Sequence, residues 1–134
     1  MAKWDLTKLD KNTNPFKDSL RFMYAVDQST DHYNQEQFDL YVNLIKEEYN
    51  ELHEAIEEND KVEMLDALVD ILVVTIGAIN SMGADAEGAW CEVMETNFAK
   101  IDPETGKVRK RADGKVLKPE GWKAPELKQF LKET

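Results

Sequence analysis

The sequence predicts an all-α fold, a four-helix bundle with a short C-terminal β-hairpin arm, on three observations. Apolar residues recur at helical spacing in successive stretches between residues 15 and 100. The stretches are bounded by residues that cap or break helices, namely Asn14-Pro15, Asn59-Asp60, Gly83 and Asp85. Beyond Lys100 the texture changes to short segments punctuated by Pro and Gly. A chain of 134 residues suits one domain, with a helical core over about 15–100 and a hairpin and tail over 101–134.

Asn14 and Pro15 start the first helix, Asn14 as cap and Pro15 at the first helical position. Phe16, Leu20, Met23 and Val26 follow with helical spacing, and the helix should end near 27–30. The polar stretch 28–37 reads as a loop. A second helix is expected from about Gln35 to Glu58, with Phe38, Tyr41, Leu44, Ile45, Leu52, Ala55 and Ile56 as its apolar positions. Asn59-Asp60 breaks it. A third helix should run from about Lys61 to Met82 and stop at Gly83. Its middle is apolar on every side, which predicts the central helix of the core. Asp85 then caps a fourth helix to about Lys100, with Ala86, Ala89, Trp90, Val93, Met94 and Phe98 facing inward. Residues 102–106 read as a turn. Lys107–Arg111 and Lys115–Lys118, on either side of Ala112-Asp113-Gly114, read as a hairpin.

Composition narrows the function classes. No apolar run approaches the ~20 residues of a membrane span, and Met1–Asp5 has no apolar segment of a signal peptide. Cys91 is the sole cysteine, which excludes an internal disulfide and any multi-cysteine zinc site. A cytoplasmic setting is expected. The net charge of −10 is uneven: residues 1–99 carry 7 Lys/Arg against 21 Asp/Glu, and residues 100–134 carry 10 against 6. An acidic body disfavours nucleic acid as a partner. The basic tail either serves an anionic ligand or is simply solvated.

The informative residues are carboxylates on apolar helix faces. At about 100° per residue, Glu48 falls inside the second helix's apolar stripe, between Ile45 and Leu52. Glu51 lies three positions on along the same side, and Glu47 pairs with Glu51 at i, i+4. On the third helix Asp70 is embedded in Ala67-Leu68-Val69-Asp70-Ile71-Leu72-Val73-Val74. Glu63 and Asp66 share its stripe, roughly within a 60° arc, and Val73 and Gly77 continue it. Gly77 would permit close approach of another group. Burying unpaired carboxylates is costly, and no Lys or Arg in either helix interior neutralises them. A hard cation would, and oxygen-only ligands suit Mg²⁺, Mn²⁺ or Ca²⁺. His53 falls on the outer face, against a histidine-containing di-iron site.

These residues resemble the all-α nucleoside-triphosphate pyrophosphohydrolase superfamily, which includes MazG-like enzymes, dimeric dUTPases and phosphoribosyl-ATP pyrophosphohydrolase. Its pattern is Glu-Glu-x-x-Glu on one helix and Glu-x-x-Asp on the next. Here the halves read Glu47-Glu48-Tyr49-Asn50-Glu51 and Asp66-Ala67-Leu68-Val69-Asp70. Ala67 stands where many relatives have Glu, and Asp66 or Glu63 could supply that oxygen. Glu95-Thr96-Asn97-Phe98-Ala99-Lys100 and Asp113–Pro119 look like a phage-type MazG-like branch. The likeness covers about residues 15–125.

The resemblance implies a MazG-like fold and a metal-dependent enzyme. One or more Mg²⁺ ions (Mn²⁺ possible) would sit among Glu48, Glu51, Asp66 and Asp70, with Glu47 as the base. Attack at the α-phosphorus of a nucleoside triphosphate would release monophosphate and pyrophosphate. Asn97 and Lys100 would contact phosphate or sugar, and a homodimer or homotetramer is expected. Arg109, Lys110 and Arg111 either close over the ligand or stay solvated. Trp4, Trp90 and Trp122 are candidates for stacking on a base, Trp90 being the one whose spacing points to the core. The alternatives are a non-catalytic metal- or nucleotide-binding regulator and a helical interaction module.

Overall fold

The computed structural model describes residues 8–132. Asn14 and Pro15 open α1 (Pro15–Ala25), where the Asn14 side chain accepts a 3.0 Å bond from the Lys17 N–H. Asn34 caps α2 (Gln35–Glu57) through a 3.1 Å bond from the Gln37 N–H. The chain then reverses through Asn59, which takes the left-handed conformation (φ 53°) that an Asn tolerates. Asp60 follows at once as the cap of α3 (Lys61–Ser81), accepting from the Glu63 N–H at 3.1 Å. The reversal is thus a three-residue connection, Glu58-Asn59-Asp60. At its other end α3 stops at Gly83 (φ +72°), where any side chain would run into the His32 backbone, about 2.7 Å from a Cβ. α4 spans Ala86–Phe98.

The chain divides into two compact units, residues 8–86 with 131–132, and Glu87–Phe130. In the first, α1, α2 and α3 meet around Met23, Tyr41 and Ala78, with Phe38, Leu44, Ile45 and Val74 packed alongside. Two contacts set the α2–α3 pairing. The Tyr41 ring occupies the space beside Gly77 where a Cβ would stand, so any side chain there would collide with it. Four residues earlier on α2, the buried Gln37 amide donates 2.8 Å to Ser81 Oγ and 2.7 Å to the Ser29 carbonyl. Ser81 Oγ in turn donates a hydrogen bond to the Gly77 carbonyl at 2.8 Å. On the α1 side, Asn80 donates to Ser19 Oγ at 3.1 Å. These buried polar groups are paired, so they fix register without a desolvation penalty.

α3 is the helix that meets both α1 and α2, and these cover one side of it, while Val62 (76%), Leu65 (65%) and Leu68 (51%) remain exposed. Three helices cannot surround one of their own number, so an apolar helix in this unit necessarily keeps a bare side. Val26 and Ile56 are likewise half exposed rather than inward.

In the second unit, α4 leads into β1 (Ile101–Asp102), which pairs antiparallel with β2 (Lys107–Val108) across the 103–106 turn, Ile101 opposite Val108. The expected hairpin continues this ladder more loosely. Lys110 bridges Val116, the Arg111 N–H donates to the Lys115 carbonyl at 2.8 Å, and the Leu117 N–H donates to the Arg109 carbonyl at 2.8 Å. The tail is tied back to α4 where the Glu126 N–H donates to Glu92 at 2.7 Å. Trp90 (53%) and Phe98 (62%), expected to face inward, are exposed in the structure. A short helix with one tail segment against it has little surface to bury them. Among the described residues, no helix is long and apolar enough to cross a membrane.

Candidate functional site

The α2–α3 register delivers the carboxylates to one level. Seven residues on from Tyr41 is Glu48, and seven back from Gly77 is Asp70. One turn further toward the Asn59-Asp60 reversal, Leu52 with its neighbour Glu51 faces the level of Asp66. Because both helices bury the same stripe, their carboxylates meet along its edge.

Glu48 is the residue most affected. It is half-buried, but its Oε2 is fully occluded and has no hydrogen-bond partner. Its pKa is pushed up from an ordinary 4.5 to about 7. Burial is the largest cause, followed by a hydrogen bond with the Glu51 side chain and the charges of Glu51, Asp70 and Asp66. A carboxylate with one occluded, unpartnered oxygen and three other carboxylates around it is stable only when protonated or paired with a cation.

The other expected site residues are placed less deeply. Asp70 is half-buried, whereas Glu51, Asp66 and Glu63 are exposed, so most of the stripe lies at the surface. Glu47 is also exposed. His53 is exposed and packs edge-on against Tyr49, ring centroids 4.5 Å apart. Among the described residues, no group of three or more Asp, Glu, His or Cys side chains is assembled as a ready-made metal cage. The chemistry of the donor set nonetheless fits a hard cation. All the donors are carboxylate oxygens, and one, Glu48 Oε2, lacks the partner that its burial requires.

Asn97 and Lys100 belong to the second unit. There Lys100 Nζ donates to Asn97 Oδ1 at 3.1 Å and stands 5.0 Å from the Trp122 ring centroid. Lys118 approaches the same ring at 4.9 Å, and the indole N–H donates to the Thr96 carbonyl at 2.7 Å. Trp122 is thereby a fixed platform for two ammonium groups. Arg109 pairs with Asp102 at 3.6 Å and Arg111 with Asp113 at 2.7 Å. Trp4 lies outside the described residues.

The sequence reasoning passes over Asp18. Its Oδ1 is occluded and unpartnered in the first unit, at the wall of an apolar cavity of about 610 Å³ among α1, α2 and α3. The signal was present: Asp18, Phe22 and Val26 form an i, i+4, i+8 stripe in which a carboxylate stands in line with apolar residues.

The family model described as phosphoribosyl-ATP pyrophosphohydrolase matches residues 23–97, more than half of the chain and the whole of α2 and α3. Among curated proteins no match is found.

Proposed function

This chain belongs to the phosphoribosyl-ATP pyrophosphohydrolase family, within the all-α nucleoside-triphosphate pyrophosphohydrolase superfamily, and from that premise we propose that it splits nucleoside triphosphates into monophosphate and pyrophosphate with a divalent metal. The membership itself carries the coarser statement, a pyrophosphohydrolase acting on nucleotides. The observation that carries the finer one is Glu48, a half-buried carboxylate with an orphaned oxygen and three carboxylates raising its pKa.

Glu48, Glu51, Asp66 and Asp70 would hold Mg²⁺, or Mn²⁺. When bound, the cation supplies neutralisation of the charge on the phosphate oxygens and fixes the chain for in-line attack. The protein's own part is to hold those oxygens on two helices locked together by Tyr41–Gly77 and Gln37–Ser81, so that little reorganisation is needed. Glu47, exposed beside Glu48 in the chain, is the group proposed to take the proton of the attacking water. Asn97 and Lys100 are proposed to contact phosphate or sugar. The bare side of α3 at Val62, Leu65 and Leu68 supports a homodimer or homotetramer.

Purified protein with Mg²⁺ and a panel of ribo- and deoxynucleoside triphosphates, plus phosphoribosyl-ATP, is the test. Monophosphate with pyrophosphate is the expected product pair from the triphosphates. Diphosphate with orthophosphate refutes the reaction. Absence of turnover with metal-dependent nucleotide binding retained would identify a regulator instead.

A further inference from the structure

The second unit holds a pocket of about 440 Å³ in which three basic residues, Lys100, Arg109 and Lys118, share a wall with Asp102 and Glu120. The backbone ladder brings the three cations together. Ile101 pairs with Val108, and the Leu117 N–H donates to the Arg109 carbonyl at 2.8 Å. Lys100 therefore stands across from Arg109 on one pair of segments, and Lys118 follows the residue bonded to Arg109 on the next. Arg111, tied to Asp113 of its own turn at 2.7 Å, does not line the pocket.

The donors of these cations are largely unspent. Arg109 meets Asp102 through a single 3.6 Å contact while its side chain is 79% exposed, so most of its planar fork faces water. Lys100 spends one N–H on Asn97 Oδ1 at 3.1 Å and keeps two. Among the described residues, neither Lys100 nor Lys118 is paired with a carboxylate. Both ammonium groups are held instead by Trp122, at 5.0 and 4.9 Å from its ring centroid, and so stand at most twice that distance apart. The ring is itself anchored by the indole N–H, which donates to the Thr96 carbonyl at 2.7 Å. Two like charges kept this close with no counter-ion repel each other. An anion between them and Arg109 removes that cost.

We propose that Lys100, Arg109 and Lys118 bind a chain of two or more phosphates, and that Trp122 is a positioning residue that holds two of the three cations. Neighbouring segments of the ladder lie about 5 Å apart, so the row of cations matches an anion with charge along its length better than a compact one. Guanidinium and ammonium groups are the donors that phosphate oxygens take. Glu120 opposes the anion and holds its affinity below what three cations alone would give. The pocket stands on its own geometry. Its part in turnover rests on the pyrophosphohydrolase reading, in which the phosphate chain is that of the substrate.

The test uses the full chain in two arms. In the first, sodium pyrophosphate and sodium orthophosphate are titrated calorimetrically in EDTA, where the carboxylates of α2 and α3 have no metal with which to hold an anion. Pyrophosphate is expected to bind at least about 10-fold tighter than orthophosphate and to weaken as salt rises. Lys118→Gln and Arg109→Gln, both at exposed positions, should each weaken pyrophosphate about 10-fold, and Glu120→Gln should tighten it. Lys107→Gln, which removes a charge outside the pocket, should change it less than about 2-fold. Trp122→Leu should weaken it as Lys118→Gln does, and Trp122→Phe should restore most of the loss. Each variant is checked by melting, and if Trp122→Leu is unfolded the Lys118 and Arg109 variants decide. Absence of pyrophosphate binding, orthophosphate bound as tightly, or equal losses from Lys107→Gln and Lys118→Gln overturn the site. A folded Trp122→Leu that binds like wild type overturns the positioning role. The second arm measures kcat and KM with Mg²⁺ and nucleoside triphosphates. A raised KM in Lys118→Gln with kcat little changed assigns the pocket to the phosphates of the substrate, whereas an unchanged KM beside lost pyrophosphate binding assigns it to a separate phosphate ligand. Pyrophosphate binding without any turnover sinks the hydrolase reading and keeps the pocket.

Discussion

Removing the charge of Glu48 should stabilise the metal-free protein at neutral and alkaline pH and leave it unchanged in acid. The folded carboxyl titrates at about 7 and its ordinary value is 4.5. Between those values the folded chain holds a proton that the unfolded chain has released. By linkage, stability then falls as pH rises through this window, and the full penalty is present above 7. At about 1.4 kcal/mol per pH unit the gap corresponds to about 3 kcal/mol. Glu48 is only half-buried, and solvent screening reduces this to about 1.5 kcal/mol. For a chain of this length that is roughly 3–9 °C in Tm. The assay is thermal melting of wild type and Glu48→Gln in EDTA at a series of pH values from 4 to 8.5. The two curves should coincide below pH 4.5 and separate progressively, with Glu48→Gln the more stable above 7. Mg²⁺ should raise the wild-type Tm most at the alkaline end, where it no longer competes with a proton, and should do little for Glu48→Gln. Parallel pH curves for the two proteins, or a Glu48→Gln that is less stable at pH 8, would refute the idea that uncompensated carboxylates burden the site.

Asp70→Asn should reduce turnover by at least ~10²-fold, in the range typical of a lost electrostatic contact to the reacting group, while the far-ultraviolet dichroism stays that of wild type; full activity would remove Asp70 from the site. Gly77→Ala places a methyl group in the Tyr41 ring, and denaturant titration should read a loss of about 1–3 kcal/mol, together with weaker Mg²⁺ binding as the two helices part. Gln37→Ala strips the donor from Ser81 Oγ and the Ser29 carbonyl and should cost about 2–3 kcal/mol, a value that a near-neutral result in the same titration would contradict.

Most of the fold was legible because its punctuation is chemical. Asn14-Pro15, Asn59-Asp60 and Gly83 each act locally, and the structure ends or begins helices within a few residues of where they predict. The inward lean of Glu48 and Asp70 was legible for the same reason, since a face is a matter of period. The exposure of Glu51 and Asp66 was not, because it depends on how wide a strip the neighbouring helix covers. Trp90 and Phe98 show the other limit: periodicity says which residues share a face, but not whether anything is packed against it. Asp18 was missed because in the first turn of a helix a carboxylate is so readily explained by the macrodipole.

The position of the carboxylates along the α2–α3 pair explains how the repulsion persists. Both ends of the pair are fixed. At one end Tyr41 is pressed on Gly77 and Gln37 is bonded to Ser81; at the other, Glu58, Asn59 and Asp60 reverse the chain in three residues and Asp60 caps α3. Glu48 and Asp70 lie between these anchors, so separating them would break a buried hydrogen bond or open the turn. Glu51 and Asp66, nearer the reversal, relieve their share of the repulsion by turning to water, whereas Glu48 cannot, because the Ile45–Leu52 stripe on either side of it is packed. The strain is thus concentrated on one oxygen atom, Glu48 Oε2. A cation arriving there would gain the energy that a looser pair of helices would already have released.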